Sequence, residues 1–280
     1  MFDRFSDRAR KAMSYSRQEA ERLGHDYIAP EHILLGILKE GGGVAATVFI
    51  RIGLSLQEIQ TELEKRLVKG SAESNVGQLP FTPPSRKVLE FTIDEARLMD
   101  HNYVGTEHLL LGMLRHHENY AAQVLWDFGL RLETARERVY EITILARFES
   151  VSTNVINIAV EEVERHDHDF LGTEHVLIAL CVASDVLHKL GLDPAEIRAA
   201  AEATLKSIPH GTSVSSRLPF TPALRRALKS AADAADFERS EKITCDHLVL
   251  GLLDSTDSNA AKILQTAGIS LEKARQILLM

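Results

Sequence analysis

Two cysteines, Cys181 and Cys245, are all that 280 residues provide, so the chain can build neither a disulfide framework nor a four-cysteine zinc site. Long apolar runs are missing too. Stretches such as His32-Ile-Leu-Leu-Gly-Ile-Leu38 fall far short of the about 20 residues that a membrane-spanning helix needs. Basic residues are outnumbered, 32 Lys and Arg against 40 Asp and Glu, giving a net charge of −8. That balance argues against a general nucleic-acid binder, whose phosphate contacts need clustered cations, but leaves room for a partner with a basic surface. A nucleotide-hydrolysing module would need a glycine-rich loop ending in Gly-Lys-Ser/Thr. Here Gly41-Gly42-Gly43 continues into Val44-Ala45, and Lys69-Gly70 has the order reversed. The opening residues, Met1 to Arg10, carry charges where a signal peptide has its apolar stretch, so the expected compartment is the reducing cytoplasm.

What is present is a globular composition, 45% hydrophobic and 26% charged, arranged as four copies of one unit. Each copy begins with a phenylalanine and reaches an acid-histidine pair 27 residues later: Phe5 to His32, Phe81 to His108, Phe148 to His175 and Phe220 to His247. The first two copies match at a constant offset of 76, through Arg10/Arg86, Glu19/Glu95, His25/His101, Tyr27/Tyr103, Glu31/Glu107 and Gly36/Gly112. The third departs: His175 to Gly191 spans 16 positions where the others span 21. Within a copy, apolar residues recur at helical spacing from Ser6 to Leu23, and Gly24 stops that helix. A second helix opens at Glu31, with Pro30 suited to its first position and Thr106 and Thr173 expected as N-caps in later copies. It is apolar nearly all round and is therefore expected at the centre. Helices over Val44–Arg51 and Leu56–Leu67 complete the unit. No alternating strand pattern appears, so the fold class is all-α.

Four short helices alone would expose too much apolar surface, so copies are expected to pair. This gives domains 1–145 (repeats 5–68 and 81–142) and 146–280 (repeats 148–208 and 220–280), each a bundle of about eight helices. The polar segments 69–77 and 209–216 connect the repeats within each domain.

Phe-Ser-Asp-Arg-Ala-Arg-Lys at 5–11, Pro-Phe-Thr-Pro at 80–83 and Gly-Thr-Glu-His-Leu-Leu-Leu-Gly at 105–112 resemble the N-terminal repeat domain of Clp unfoldases, with 1–142 most similar to the ClpC N-domain. Residues 148–280 resemble a second, diverged copy. The resemblance implies a two-fold pseudo-symmetric bundle that docks adaptors and substrates of a protein-degrading machine, here without the motor. It also implies that Glu31 and Glu107 hold the guanidinium of phosphorylated arginine. A carboxylate pairs with a guanidinium through two parallel hydrogen bonds, and the phosphate would take helix-start N–H groups at Ser6 and Thr82, with Arg10 and Arg86 beside them. The plainer account of the same acids is that they complement a helix dipole. Glu174 with Thr221 is the weaker counterpart in the second domain, because repeat three carries Glu149 in place of Ser6 and Thr153-Asn154 in place of Arg10-Lys11; Asp246 is shorter and is not a candidate. Phe2 and Phe81 are core residues or, as relatives imply, the lining of a hydrophobic groove. His25/His32 and His101/His108 sit seven apart, which does not match a helical metal-ligand spacing, and no metal or other cofactor is expected. Cys245 lies at a helix start, where a thiol pKa can fall.

Three functions remain open on the sequence alone. The leading one is a non-catalytic adaptor or decoy for a ClpC-type unfoldase–protease and its protein clients, with no nucleic acid or membrane as partner. The others are a metal-dependent hydrolase using the His and Glu clusters, and a purely structural helical scaffold.

Overall fold

The structure is a computed structural model that describes residues 2–71, 79–207 and 218–279. The connectors read at 69–77 and 209–216 lie outside the described residues from position 72 in the first case and entirely in the second. The described residues form sixteen helices and two compact units, Met1–Ile142 and Thr143–Met280.

Repeat one holds α1 (Asp7–Arg22), α2 (Pro30–Glu40), α3 (Val44–Arg51) and α4 (Leu56–Arg66); repeat two holds α5 (Pro83–Leu98), α6 (Thr106–Arg115), α7 (Tyr120–Asp127) and α8 (Leu132–Leu145). Repeat three holds α9 (Ser150–Arg165), α10 (Thr173–Ala183), α11 (Val186–Lys189) and α12 (Pro194–Leu205). Repeat four holds α13 (Pro222–Phe237), α14 (Cys245–Asp254), α15 (Asn259–Thr266) and α16 (Leu271–Leu278). The second helix of each repeat is the buried one, as its all-round apolar surface requires: Ile33, Leu34 and Leu109–Leu111 are fully enclosed. It lies directly on the first helix. A Cβ on Gly36 would meet Ala12 O at 2.2 Å, and one on Gly112 would meet Thr92 N at 2.5 Å. Glycine is demanded there by contact with backbone, which cannot swing aside.

Of the five positions missing from repeat three, four come out of its third helix and one out of the turn before it. α11 has four residues where α3, α7 and α15 have eight. The chain reversal after each first helix is also shared. Gly24, Asp100, Asp167 and Arg239 occupy one position of the repeat, all with φ between 51° and 72°, so three repeats hold a left-handed turn without glycine.

The repeats of a unit are joined by a reciprocal backbone exchange. Phe5 bridges Val104 while Phe81 bridges Ile28, and in the second unit Phe148 bridges Ile243 while Phe220 bridges Leu171. In the first unit Ser6 N–H donates to Val104 O at 2.9 Å and Val104 N–H to Arg4 O at 2.8 Å, mirrored by Thr82 to Ile28 at 3.1 Å and Ile28 to Pro80 at 2.8 Å. The Phe that opens each repeat is thus anchored to the other repeat. Among the described residues there are no strands beyond these isolated bridges.

Gly112→Ala should lower unfolding free energy by about 1–2 kcal/mol, since overpacking against backbone outweighs the gain of roughly 1 kcal/mol in helix propensity. Urea unfolding would read this; an unchanged or raised midpoint would contradict the close α5–α6 contact.

Candidate functional site

The second helix of each repeat starts with an unusual cap. Thr106 and Thr173 are not the N-caps that sequence suggested; Gly105 and Gly172 are. The capping acceptor is the histidine three residues on. His32 Nδ1 accepts Ala29 N–H at 2.9 Å, His108 Nδ1 accepts Gly105 N–H at 2.8 Å, and His175 Nδ1 accepts Gly172 N–H at 3.1 Å. An Nδ1 that accepts leaves the proton on Nε2, which donates to a second histidine: His25 Nδ1 at 2.8 Å, His101 Nδ1 at 2.9 Å and His168 Nδ1 at 2.9 Å. In repeat four Glu238 takes the second place, accepting from His247 Nε2 at 2.7 Å. Thr106 works across the unit: its Oγ1 accepts Ala45 N–H at 3.3 Å, so it caps α3 of the other repeat.

These pairs explain the histidines that sequence left between turn and metal ligand. Donor atoms of His101, Glu107 and His108 come within 4.8 Å of one another, but both nitrogens of His108 are committed to the cap. Burial pushes His32 down to about 4, with His25 adding to the effect, and pushes His108 and His175 down to about 3.

The four acids lie one residue before these histidines and differ in how their carboxylates are held. Glu107 is 2% exposed and curls back onto Gly105, where a Cβ would lie 2.2 Å from its Oε1. Burial raises its pKa; its own backbone N–H, the Tyr103 hydroxyl and Thr106 oppose that with hydrogen bonds. Tyr103 is itself pushed up to about 12, first by burial and then by Glu107. Glu174 curls back likewise on Gly172, its Oε2 accepting from Thr173 Oγ1 at 3.1 Å and its Oε1 from Asn259 Nδ2 at 2.5 Å. Asp246 pairs with Lys189 Nζ at 3.2 Å. Glu31 is different. The residue before Pro30 is Ala29, whose methyl stands where Gly105 and Gly172 leave space, and Glu31 stays half-buried. Its Oε2 is buried with no hydrogen-bond partner among the described residues, and burial raises its pKa.

The reciprocal exchange decides which residues accompany each acid. Ser6 binds Val104, three residues before Glu107, whereas Thr82 binds Ile28, three residues before Glu31. The exchange therefore brings the start of the first helix of one repeat to the turn that precedes the acid of the other: Thr82 and Arg86 to the turn before Glu31, Ser6 and Arg10 to that before Glu107, Thr221 and Arg225 to that before Glu174. Glu149 and Thr153, whose presence counted against Glu174, face the Asp246 side through the bond from Glu149 N–H to Ile243 O at 3.2 Å.

Ser6, Thr82 and Thr221 are caps as expected, each accepting an N–H three residues on. The helix-start donors are fewer than expected at Thr82, because Pro83 and Pro84 carry no N–H and Ser85 N–H is bound by Thr82. An anion there would depend on Arg86, which is exposed and donates through Nε to Phe81 O at 3.2 Å. Arg10 clamps Phe5 O in the same manner and also holds Asp7. Phe2 and Phe81 meet at 6.2 Å between ring centroids and line an open groove of about 380 Å³ with Arg10, Met13, Ile28 and Leu79. Burial raises both thiols, Cys181 to about 12, so Cys245 is not the activated thiol that its position at a helix start suggested.

Sequence reasoning passed over a buried acid on the first helix. Glu95, 1% exposed, takes both Arg136 nitrogens, Nε at 3.0 Å and Nη2 at 2.6 Å; Glu19 holds Arg22 and Lys39, and Glu162 holds Arg165. The Glu19/Glu95 match was visible, but nothing in its spacing distinguished a buried ion pair from a solvated one.

The histidine caps set a pH dependence. In the unfolded chain these imidazoles protonate near pH 6.5, whereas in the fold they stay neutral down to about 3 or 4. Stability is therefore fully present above pH 6.5 and is lost as pH falls towards the folded values, by up to about 1.4 kcal/mol per unit for each histidine. The raised Glu31 and Glu107 act in the opposite sense. His108→Gln, whose amide can still accept from Gly105 and donate to His101, should flatten the decline of the urea midpoint between pH 6.5 and 4.5. Parallel pH profiles for wild type and variant would contradict the neutral-cap assignment.

Compared with known proteins, the chain matches the Clp repeat (R) N-terminal domain over residues 4–128 and again over 147–276. It is 45% identical over 142 residues to the chaperone protein ClpB of Oceanobacillus iheyensis and 44% identical over 142 residues to the negative regulator of genetic competence ClpC/MecB of Bacillus subtilis. Each alignment covers 51% of this chain and 17% of the relative, so the chain spans a small part of those proteins. Among solved structures, the N-terminal domain of the chaperone ClpD from Arabidopsis thaliana aligns at 23% identity and a TM-score of 0.42, covering 51% of this chain and 96% of that domain. With the family matched in both units, the chain belongs to the Clp repeat (R) N-terminal domain family.

Proposed function

We propose that the chain is a non-catalytic docking protein of a ClpC-type unfoldase–protease system in the cytoplasm, that its two units are separate domains meeting near residue 145, and that the first reads phosphoarginine on protein clients or adaptors. The observation that carries the reading is Glu31 Oε2, a buried carboxylate oxygen with no hydrogen-bond partner among the described residues. Leaving such an atom unpaired costs about 1–3 kcal/mol, which a bound guanidinium would recover. Two parallel N–H donors suit the carboxylate, and Arg86, brought to the same side by the Thr82–Ile28 bond, supplies a cation for the phosphate. Glu107 with Ser6 and Arg10 is the second site, weaker because Tyr103 and Thr106 already occupy its carboxylate.

The apolar groove at Phe2 and Phe81 supports an additional contact. Its wall includes Ile28, three residues before Glu31, so a client segment with an apolar side chain beside the modified arginine would engage both. Adaptor and decoy use the same surface, and the protease distinguishes them: an adaptor accelerates degradation of marked clients, whereas a decoy slows it.

Calorimetric titration of free phosphoarginine should give saturable binding to the wild-type chain. Glu31→Ala should weaken it at least about tenfold, equivalent to about 1.4 kcal/mol, and Glu31→Ala/Glu107→Ala should abolish it. A flat titration of folded wild type would remove this chemistry and leave the groove, where Phe81→Ala would then be tested against client peptides.

A further inference from the structure

The second unit carries a nearly complete copy of the same site. Glu174 stands at the start of α10, and the exchange through Leu171 and Phe220 brings it the set that accompanies Glu31 in the first unit: a cap hydroxyl, Thr221, and a guanidinium, Arg225. Arg225 clamps Phe220 O at 3.0 and 3.2 Å, as Arg86 clamps Phe81 O. What distinguishes the two is the carboxylate. Glu31 keeps an unpartnered oxygen, whereas both oxygens of Glu174 are taken, Oε2 by Thr173 and Oε1 by the side-chain amide of Asn259 at 2.5 Å.

Asn259 comes from the opposing repeat. It is the first residue of α15, directly after the N-cap Ser258, and the corresponding first residues are Val44 in α3 and Tyr120 in α7. By the crossed exchange Tyr120 takes this place beside Glu31 and Val44 takes it beside Glu107; Val44 offers no donor, and the Tyr120 hydroxyl leaves Glu31 Oε2 without a hydrogen bond. The donor also replaces one lost nearby. Glu107 takes a hydrogen bond from Tyr103 of its own turn, but in repeat three that position is Phe170, which has none to give. A carboxylate 7% exposed requires a second donor, and Asn259 supplies it from across the unit. Its amide N–H occupies the oxygen that a ligand guanidinium would use. Asp246, the other acid of the unit, is filled comparably by the Lys189 ammonium, which α11 presents after losing its first turn.

We infer that Asn259 is a specificity-determining residue that closes the Glu174 site to guanidinium ligands, so that a tandem protein binds phosphoarginine through its first unit alone. This rests on the reading of Glu31 given above. Closure is a matter of one donor: with the amide gone, Glu174 has a free oxygen, and Thr221 and Arg225 stand at the repeat positions that Thr82 and Arg86 hold in the first unit.

The test is calorimetric titration of phosphoarginine into the full chain, with folding of every variant checked by circular dichroism. Wild type should bind, Glu31→Ala/Glu107→Ala should be silent, and adding Asn259→Ala to that pair should restore saturable binding that Glu174→Gln then removes. Asn259→Val, which fills the position without offering a donor, serves as the second opening variant should the alanine protein not fold. Binding by Glu31→Ala/Glu107→Ala that disappears with Glu174→Gln overturns the inference, because the site is then open with Asn259 in place. Silence of both folded opening variants while wild type binds also overturns it and leaves the first-unit reading intact. A silent wild type with silent opening variants overturns both. A silent wild type with a binding Asn259 variant supports the closure and removes the Glu31 reading.

Discussion

The exchange of backbone hydrogen bonds between repeats is the constraint on which the rest of the structure depends. Each repeat contributes one short extended segment before its first helix and one before its second, and each pairs with the other kind in its partner repeat. Four amphipathic helices of eight to sixteen residues could not hide their apolar faces alone. Pairing encloses the second helices of both repeats and fixes where each helix start lies. Because the exchange is reciprocal, everything placed at a helix start in one repeat meets the other repeat: the caps Ser6, Thr82 and Thr221, the clamping Arg10, Arg86 and Arg225, and the acids. The candidate sites are therefore properties of the pair.

A second constraint is proton economy at the start of the central helices. A buried helix start has more N–H groups than acceptors, and in three repeats a neutral histidine supplies the acceptor while a second histidine takes its remaining proton. The arrangement works only with uncharged rings, since a protonated His108 would present Nδ1–H to a backbone N–H. Histidine conserved across the repeats in this chain thus reports on capping, and the acid beside it is left to the dipole, to local donors or to a ligand.

Much of this was legible in the sequence. The four-fold recurrence of Phe, Glu or Asp, and His gave the repeat, helical periodicity gave the elements, and α3 and α4 lie within a residue of their expected ends. The shortened third repeat was visible as a spacing of 16 against 21, although only the structure shows that α11 absorbs four of the five positions. The caps were misassigned because threonine is the stronger local signal, while a histidine three residues inside a helix has no familiar capping signature. The pairing of acids with caps was beyond sequence reasoning for a different reason. Repeats align with themselves along the chain, whereas the exchange crosses them, so Glu149 counted against Glu174 when it lies on the Asp246 side. Differences among the acids turned on residues of no evident interest: Ala29 against Gly105, Phe170 against Tyr103, and Asn259 against Tyr120.

The crossed composition of the Glu31 site is the claim most exposed to a single measurement, an amide chemical-shift map of the full chain as phosphoarginine is added. The account predicts that amides of Ile28, Glu31 and His32 move together with those of Thr82, Ser85 and Arg86 from the other repeat, at one common affinity. Shifts that join residues 28–32 to Ser6 and Arg10 of the same repeat, with residues 81–86 unmoved, would contradict it.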